Sequence, residues 1–380
     1  MSTHQNPFRT RSGVVPPYLL GRSDVITKIN RSLEYPLSDE HGNMLLMGLR
    51  GIGKTVMLSE AGQLAKARGW IVIDSYLTES GLMNRLHNSV NEILRPHQRR
   101  VTGAGVSVLG SGANVGVSEP PTNSGNLNER LAEVLKKTKA PGILITVDEV
   151  HSTAGQAQRE LREYGNEIQL AHRNGLPVMS LVAGLTSGIN ALLADKDENG
   201  KRTGATFLRR AAKEHLTDID AEEIWQAYHS AAKKSGRLVG AKVIDLMTSA
   251  AHGYPYLFQL IGDRVWNITD TIIDEAHAIE GIESAKRRLG SAVLDTSLSD
   301  LSDLDRTFLL AMAQDNGPSQ MADISERMGV SKQQATNYQK RLREADMIKR
   351  ISNGVVDYTM PYMREHLRDH HASGMMDDSW

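Results

Sequence analysis

The chain contains no cysteine. That excludes disulfides, thiolate zinc centres and a cysteine nucleophile, and it fits a reducing cytoplasm. Neither sign of charge is in excess: 44 Lys and Arg face 45 Asp and Glu, a formal net charge of −1. With no global basic field, any surface for nucleic acid must be local. No apolar run approaches the roughly 20 residues of a membrane span, and the N-terminal stretch has no secretory apolar core. These absences give the expectation of a cytoplasmic protein with no membrane partner. The rest of the composition is ordinary, with 40% hydrophobic and 23% charged residues over 380 positions, enough for two or three domains.

Against that background one stretch stands out. Gly48-Leu49-Arg50-Gly51-Ile52-Gly53-Lys54-Thr55 is a complete G-x-x-x-x-G-K-[ST] phosphate-binding loop. The apolar run Met44-Leu45-Leu46-Met47 leads in as a buried strand, and Met57, Ala61 and Leu64 lead out at helical spacing. The glycines let backbone N–H groups face phosphate oxygens, and the helix beginning near Gly53 adds its positive dipole end. We expect Gly48, Arg50, Gly51, Ile52, Gly53, Lys54, Thr55 and Val56 to bind ATP, with Lys54 on the outer phosphates and the Thr55 hydroxyl on Mg²⁺.

A second strand candidate covers Trp70 to Asp74, followed by a helical stretch from about Ser80 to Leu94. Residues 101–125 hold no lysine or arginine and alternate valines around Gly110-Ser111-Gly112, which reads as a flexible hairpin or a structureless insertion. A helix near Leu127 to Lys137 precedes Ile143-Leu144-Ile145-Thr146-Val147-Asp148-Glu149, the near-continuous apolar run of a central parallel strand ending in two carboxylates. After a phosphate loop, this is the place for Asp148 to hold Mg²⁺ through water and for Glu149 to orient or deprotonate an attacking water. His151 follows, and carries either a surface or a site role.

Another helix, from about Gln156 to Arg173, leads to the buried strand Val178 to Ala183, which ends at Gly184-Leu185-Thr186; Thr186 is the candidate γ-phosphate sensor there. Strands alternating with helices predict an α/β fold, a doubly wound parallel sheet with its ligand at the carboxyl ends of the strands. Beyond the charged loop 195–201, Arg209 and Arg210 are either solvated or aimed at a neighbouring subunit's nucleotide, and His215 to Ile219 reads as the last strand.

Asp220 with Glu223 suggests a capping box, and the pattern from there to about 295 is wholly helical, broken by Gly253-Tyr254-Pro255-Tyr256. The final stretch gives helices around Leu304 to Met312, Ala322 to Met328 and Lys332 to Glu344, then a wing from Ile348 to Tyr358 folded at Asn353-Gly354. That is the order of a winged helix-turn-helix. His370 and His371 read as a solvated tail. The expected domains are a P-loop NTPase core over 1–219, a helical lid over 220–298 and the winged helix over 299–380.

Residues 331–350 hold six basic against two acidic side chains, a local charge of +4. We expect Lys332, Lys340, Arg341, Arg343, Lys349 and Arg350 to meet DNA phosphates, and Gln333, Gln334 and Asn337 to read base edges, with Tyr338 packed inside beside Leu342. The alternative is a scaffold that uses the same face for a protein partner.

These pieces, in this order, resemble ATP-binding proteins of the AAA+/STAND type, close to the archaeal-type ATPases and origin-recognition-like AAA+ proteins. The resemblance rests on Pro16-Pro17 with Gly21-Arg22, Arg50 to Thr55, Val147-Asp148-Glu149, Ala183-Gly184-Leu185, Gly253 to Tyr256, and the winged helix running into Met360-Pro361-Tyr362. It implies that Gly21 and Arg22 lie against adenine, that Pro255 closes on the nucleotide, and that Arg209 is the finger in a homo-oligomer. From spacing alone, the arm around Pro16-Pro17 is equally a packing segment. Two departures, the missing sensor asparagine after the fourth strand and Gly-Tyr-Pro where a sensor arginine stands in relatives, point to slow turnover and a switch.

Overall fold

The computed structural model describes residues 6–11, 13–77, 80–98, 126–150, 155–194 and 206–372. The expectations for residues 101–125, His151 and the loop 195–201 fall outside these residues.

Five strands, β1 (Asn43–Met47), β2 (Ile71–Tyr76), β3 (Ile143–Val150), β4 (Val178–Gly184) and β5 (Ala212–His215), form one parallel sheet in the order β2-β3-β4-β1-β5. Successive side chains on a strand point to opposite faces. Met44 and Leu46 therefore join Leu144, Met179 and Leu181 in one core, while Leu45 and Met47 join Ile145, Val147 and Val182 in the other. Helices α1 (Ser23–Glu34) and α2 (Lys54–Ala67) cover the first face through Val25, Ile29, Leu33, Met57 and Ala61. Helices α3 (Leu82–Gln98), α4 (Leu127–Thr138) and α5 (Gly155–Arg173) cover the second through Leu86, Leu131 and Leu161. Each fully buried aliphatic side chain contributes about 1.5–3 kcal/mol. Short helices α6 (Thr186–Ala194) and α7 (Thr206–Arg210) follow β4.

The fifth strand corrects the sequence reading, which set it at His215 to Ile219. It is Ala-Lys-Glu-His at the sheet edge, alternately half-buried and exposed. An edge strand solvated on one side needs no apolar run, so hydrophobicity drew the expectation too far downstream.

After β5 come α8 (Ala221–Ser235), α9 (Ala241–Ala251), α10 (Pro255–Trp266) and α11 (Glu275–Leu289), with two paired strands, β6 (Leu238–Val239) and β7 (Ile272–Ile273), that the wholly helical reading did not anticipate. The capping box is corrected too. The Asp220 side chain accepts from the Glu222 N–H at 2.8 Å, whereas the Glu223 carboxylate takes the Gly21 N–H at 2.7 Å. Helix α11 runs through a π turn (Gly290–Leu294) into α12 (Asp295–Ser299).

The last elements are α13 (Asp303–Ala313), β8 (Ser319–Gln320), α14 (Met321–Arg327), α15 (Lys332–Glu344), β9 (Ile348–Ser352), β10 (Val355–Tyr358) and α16 (Met363–Ala372). The strands make an antiparallel sheet in the order β8-β10-β9. Ser331 caps α15 in a capping box with Gln334, so the Gln334 carbonyl expected to read bases is already bonded to the Ser331 backbone. His370 lies on α16, not in a solvated tail. The first core continues without a break from the sheet through α8–α11 into these elements.

Candidate nucleotide site

The loops after β1, β3 and β4 meet at the carboxyl edge of the sheet, where β1 lies between β4 and β5 and the crossovers diverge. Glycine makes the first loop possible: Gly48, Gly51 and Gly53 all have positive φ. A Cβ at Gly51 would also strike the Tyr254 hydroxyl, which donates to the Arg50 carbonyl and so fixes α10 against the loop.

Lys54, 7% exposed, donates to the carbonyls of Gly48 at 2.9 Å and Leu49 at 2.7 Å. Burial pushes its pKa down to about 8, against the attraction of Asp148. The Thr55 hydroxyl donates to Asp148 Oδ2 at 2.6 Å. These two hard oxygen donors sit side by side at the start of a helix, a pair suited to Mg²⁺. Glu149 has a φ of +57°. The β3 register shifts between Val147 and Val150, so the strand bulges at this pair and turns the Glu149 side chain into the cavity. Gly184 on β4 allows the bulge, since a Cβ there would run into the Val150 carbonyl.

The cavity is about 520 Å³. It brings together Arg22, Arg50, Gly51, Ile52, Gly53, Lys54, Thr55, Val56, Asp148, Glu149 and Pro255, as the sequence reading expected. Gly48 and Gly21 do not line it. Gly48 contributes its carbonyl to Lys54, and Gly21 binds Glu223. Arg22 lines the cavity while 3% exposed, and its guanidinium donates to the carbonyls of Ile52 at 3.0 Å and Thr217 at 2.9 Å. It braces the phosphate loop from beneath, and burial lowers its pKa.

Sequence reasoning missed three cations on the wall, Arg9, Arg11 and Arg288. Arg288 ends the run Lys286-Arg287-Arg288 in the last turn of α11, where helix-dipole complementarity explains basic residues without a site. Arg9 and Arg11 belong to an arm with no periodicity. Its anchor is Phe8, 2% exposed, whose ring meets Trp266 edge-on at 4.9 Å and also packs on Tyr228 and Phe258. Phe8 packs in the core, while Val14, Pro16 and Tyr18 line the cavity.

A second cavity of about 510 Å³ shares Arg50 and Glu149 with the first and is closed by Leu185, Asp300 and Asp346. Arg50 pairs with Asp300 at 2.6 Å. Asp346 follows α15 with a φ of +57°. Burial pushes its carboxyl pKa up, against the opposing pull of the neighbouring Thr186, Lys54 and His215. Its Oδ2 is buried without a partner.

Other predicted residues lie elsewhere. Arg209 donates to the Leu193 carbonyl at 3.2 Å within its own chain and does not line the cavity. On α15, Lys332, Gln333, Asn337, Lys340 and Arg343 are exposed, and Tyr338 is half-buried beneath Arg341. Arg341 is also tied to Asp305 at 2.7 Å, and Arg350 to Asn353 at 3.0 Å.

Residues 18–165 match the AAA ATPase domain family. Residues 291–367 match a family described only as a domain of unknown function. A search of curated proteins found no match. Among solved structures, the Walker-type ATPase PABY2304 of Pyrococcus abyssi aligns over 92% of this chain and 96% of its own, at 14% identity and a TM-score of 0.63. The Thermotoga maritima RuvB Holliday junction branch migration motor aligns over 94% and 98%, at 15% identity and a TM-score of 0.44. The likeness to the Pyrococcus protein is one of fold, and the fold is that of P-loop ATPases. Among the described residues no helix is long and apolar enough to cross a membrane.

Proposed function

We propose that the protein is an ATP-controlled switch with slow ATP hydrolysis, whose C-terminal elements form a winged helix that binds double-stranded DNA. The observation that carries the switch is Asp346. Asp346, an anion from the C-terminal elements, lies beside Thr186, the residue read from sequence as the γ-phosphate sensor, and is attracted by Lys54. ATP and that contact compete for the same donors, and ADP, with no γ-phosphate, does not.

In this reading Lys54 turns from its two loop carbonyls to the phosphates, and Thr55 and Asp148 hold Mg²⁺. A magnesium ion held there would supply positive charge against the phosphates. Glu149 accepts a proton from the water that attacks phosphorus, and ADP leaves with the electron pair of the broken P–O bond. The six cations on the wall, Arg9, Arg11, Arg22, Arg50, Lys54 and Arg288, against Asp148 and Glu149, suit a polyanionic ligand. The lid over 220–298 carries Pro255 and Arg288 to that wall.

Amide hydrogen exchange of the full chain tests the switch. With Mg-ATP, and a Glu149→Gln variant to stop turnover, residues 340–350 should lose protection; with Mg-ADP they should keep it. Equal protection with both nucleotides overturns the switch. Lys54→Ala, which removes the loop's own phosphate cation, should abolish the response. Gel-shift titration at two salt concentrations tests the DNA arm. Affinity should fall steeply with salt, and removing Lys340 should flatten the slope by about one unit. No shift in any nucleotide state assigns the exposed face of α15 to a protein partner instead.

A further inference from the structure

Just beyond the stretch of chain that lines the nucleotide cavity at Ala292 and Val293, at the junction of α11–α12 with the C-terminal helix, three side chains converge. His366 and His370 stand four residues apart on α16, so both imidazoles leave the same face of the helix one turn apart. Their ring centroids are 4.2 Å apart. Opposite them, Asp295 opens α12. His366 Nε2 lies 2.7 Å and His370 Nε2 3.8 Å from the same oxygen, Asp295 Oδ1. All three ligand atoms fall within 4.8 Å of one another.

We propose that Asp295, His366 and His370 form a divalent transition-metal site, of the kind filled by Zn²⁺, with a fourth position left to water. The geometry is the first support. Zinc bound at about 2.0–2.2 Å in a tetrahedron holds its ligand atoms roughly 3.3 Å apart. The separations of 2.7 and 3.8 Å from Asp295 Oδ1 bracket that spacing, and the two imidazole nitrogens lie within 4.8 Å of each other.

The donor chemistry is the second support. Two imidazoles and one carboxylate select zinc, cobalt, nickel or copper over magnesium and calcium, which take oxygen ligands. The site is thereby chemically distinct from the Thr55–Asp148 pair. Partial burial is the third: the side chains are 12%, 25% and 32% exposed for His366, His370 and Asp295, dry enough to hold an ion and open enough to admit one. The backbone also makes room. A Cβ at Gly290 would stand 2.9 Å from His366 Nδ1, so the π turn needs glycine where the imidazole packs.

A metal here would fasten α16 to α12, and so lock the end of the chain to the segment that carries Arg288 to the nucleotide wall.

The test uses the full chain, stripped with a chelator, dialysed and titrated with Co²⁺. One equivalent should bind with the strong visible absorption of a low-symmetry cobalt site, and Zn²⁺ should displace it. Zn²⁺ should also raise the unfolding temperature. Loss of a partner beyond the ligands already costs 10–100-fold in metal affinity, so loss of a ligand in His370→Gln should weaken binding by about 100-fold or more. The same variant should remove the thermal shift. His370 is partly exposed, so its replacement leaves the fold intact, which circular dichroism checks. Asp148→Asn, at the nucleotide site, should leave the cobalt band unchanged. Absence of the band in the parent chain, or its persistence in both His370→Gln and a His366→Gln/His370→Gln double variant, overturns the assignment.

Discussion

Asp346→Asn separates charge from shape at the contact that defines the proposed switch. Asparagine tolerates the left-handed backbone and keeps an oxygen acceptor for Thr186, so the C-terminal elements remain seated. Only the negative charge is lost. Two anions that share one hydroxyl donor stand about 5 Å apart, and at an effective dielectric of about 20 two unit charges at that distance repel by roughly 3 kcal/mol. Release of the C-terminal contact limits what ATP feels, because the protein moves instead of bearing the whole repulsion. One tie of that contact, Arg50 to Asp300, contributes about 1 kcal/mol or less. We therefore expect Asp346→Asn to tighten ATP binding by about 10-fold to 100-fold, roughly 1.4–2.8 kcal/mol. ADP affinity should stay within about twofold, because ADP presents no γ-phosphate to the repulsion. Calorimetry with both Mg-nucleotides in a Glu149→Gln background measures this without turnover. Equal tightening of ATP and ADP, or no change in ATP, refutes the competition. Stability gives an independent reading. Burial raises the Asp346 pKa in the folded chain. A raised carboxylate favours folding below its unfolded pKa and opposes it once pH passes the folded value. Asp346→Asn should thus unfold at a higher temperature than the parent at neutral pH, and the gap should close as pH falls below the ordinary carboxylate range.

Four further outcomes are expected. Glu149→Gln should keep ATP bound with no turnover; turnover at the parent rate removes Glu149 from its role. Lys54 titrates near 8 in this structure, and phosphates beside it raise that value, so ATP affinity should decline above about pH 8 with net proton uptake on binding; calorimetry near pH 8.5 in two buffers of different ionisation heat refutes this if protons are released or unmoved. Phe8→Ala should cost about 3–5 kcal/mol in denaturant titrations, the usual range for an aromatic lost from a packed core, and should weaken nucleotide binding by loosening the arm; parent-like stability in urea contradicts the anchor. Mixing Arg209→Ala with Glu149→Gln should yield more ATPase activity than the average of the two alone, and simple averaging argues against a site shared between subunits.

The phosphate loop and the Asp148–Glu149 pair were legible in sequence because their chemistry is packed into contiguous residues flanked by a strand and a helix. The ends of α15, at Lys332 and Glu344, were legible for the same local reason, a capping serine and a strong helical pattern. What sequence could not show is convergence. Arg9 and Arg288 are 279 positions apart and meet on one wall. Arg22 was placed against adenine on a family resemblance, and nothing in the sequence shows its bonds to the Ile52 and Thr217 carbonyls. Asp346 read as an acid diluting a basic run. One clue was available: the position after a helix's last turn commonly takes glycine in the left-handed conformation. An aspartate there forgoes that ease and signals a side chain with a task elsewhere.

The same contact shows why affinity at this site must be reasoned as a difference. Lys54 already has two acceptors, Thr55 already has Asp148, and Asp346 stands beside Thr186. A nucleotide exchanges these bonds for its own, and each exchange yields only the net value of about 0.5–1.5 kcal/mol, somewhat more where a charge is involved. ADP needs the first exchange and, with Mg²⁺, the second. ATP alone needs the third, and the third is the one that connects the core to the C-terminal elements. In the proposed switch the step that distinguishes the two nucleotides is therefore the step that moves α15, and a chain in which Asp346 makes no difference to that distinction does not work as a switch in this way.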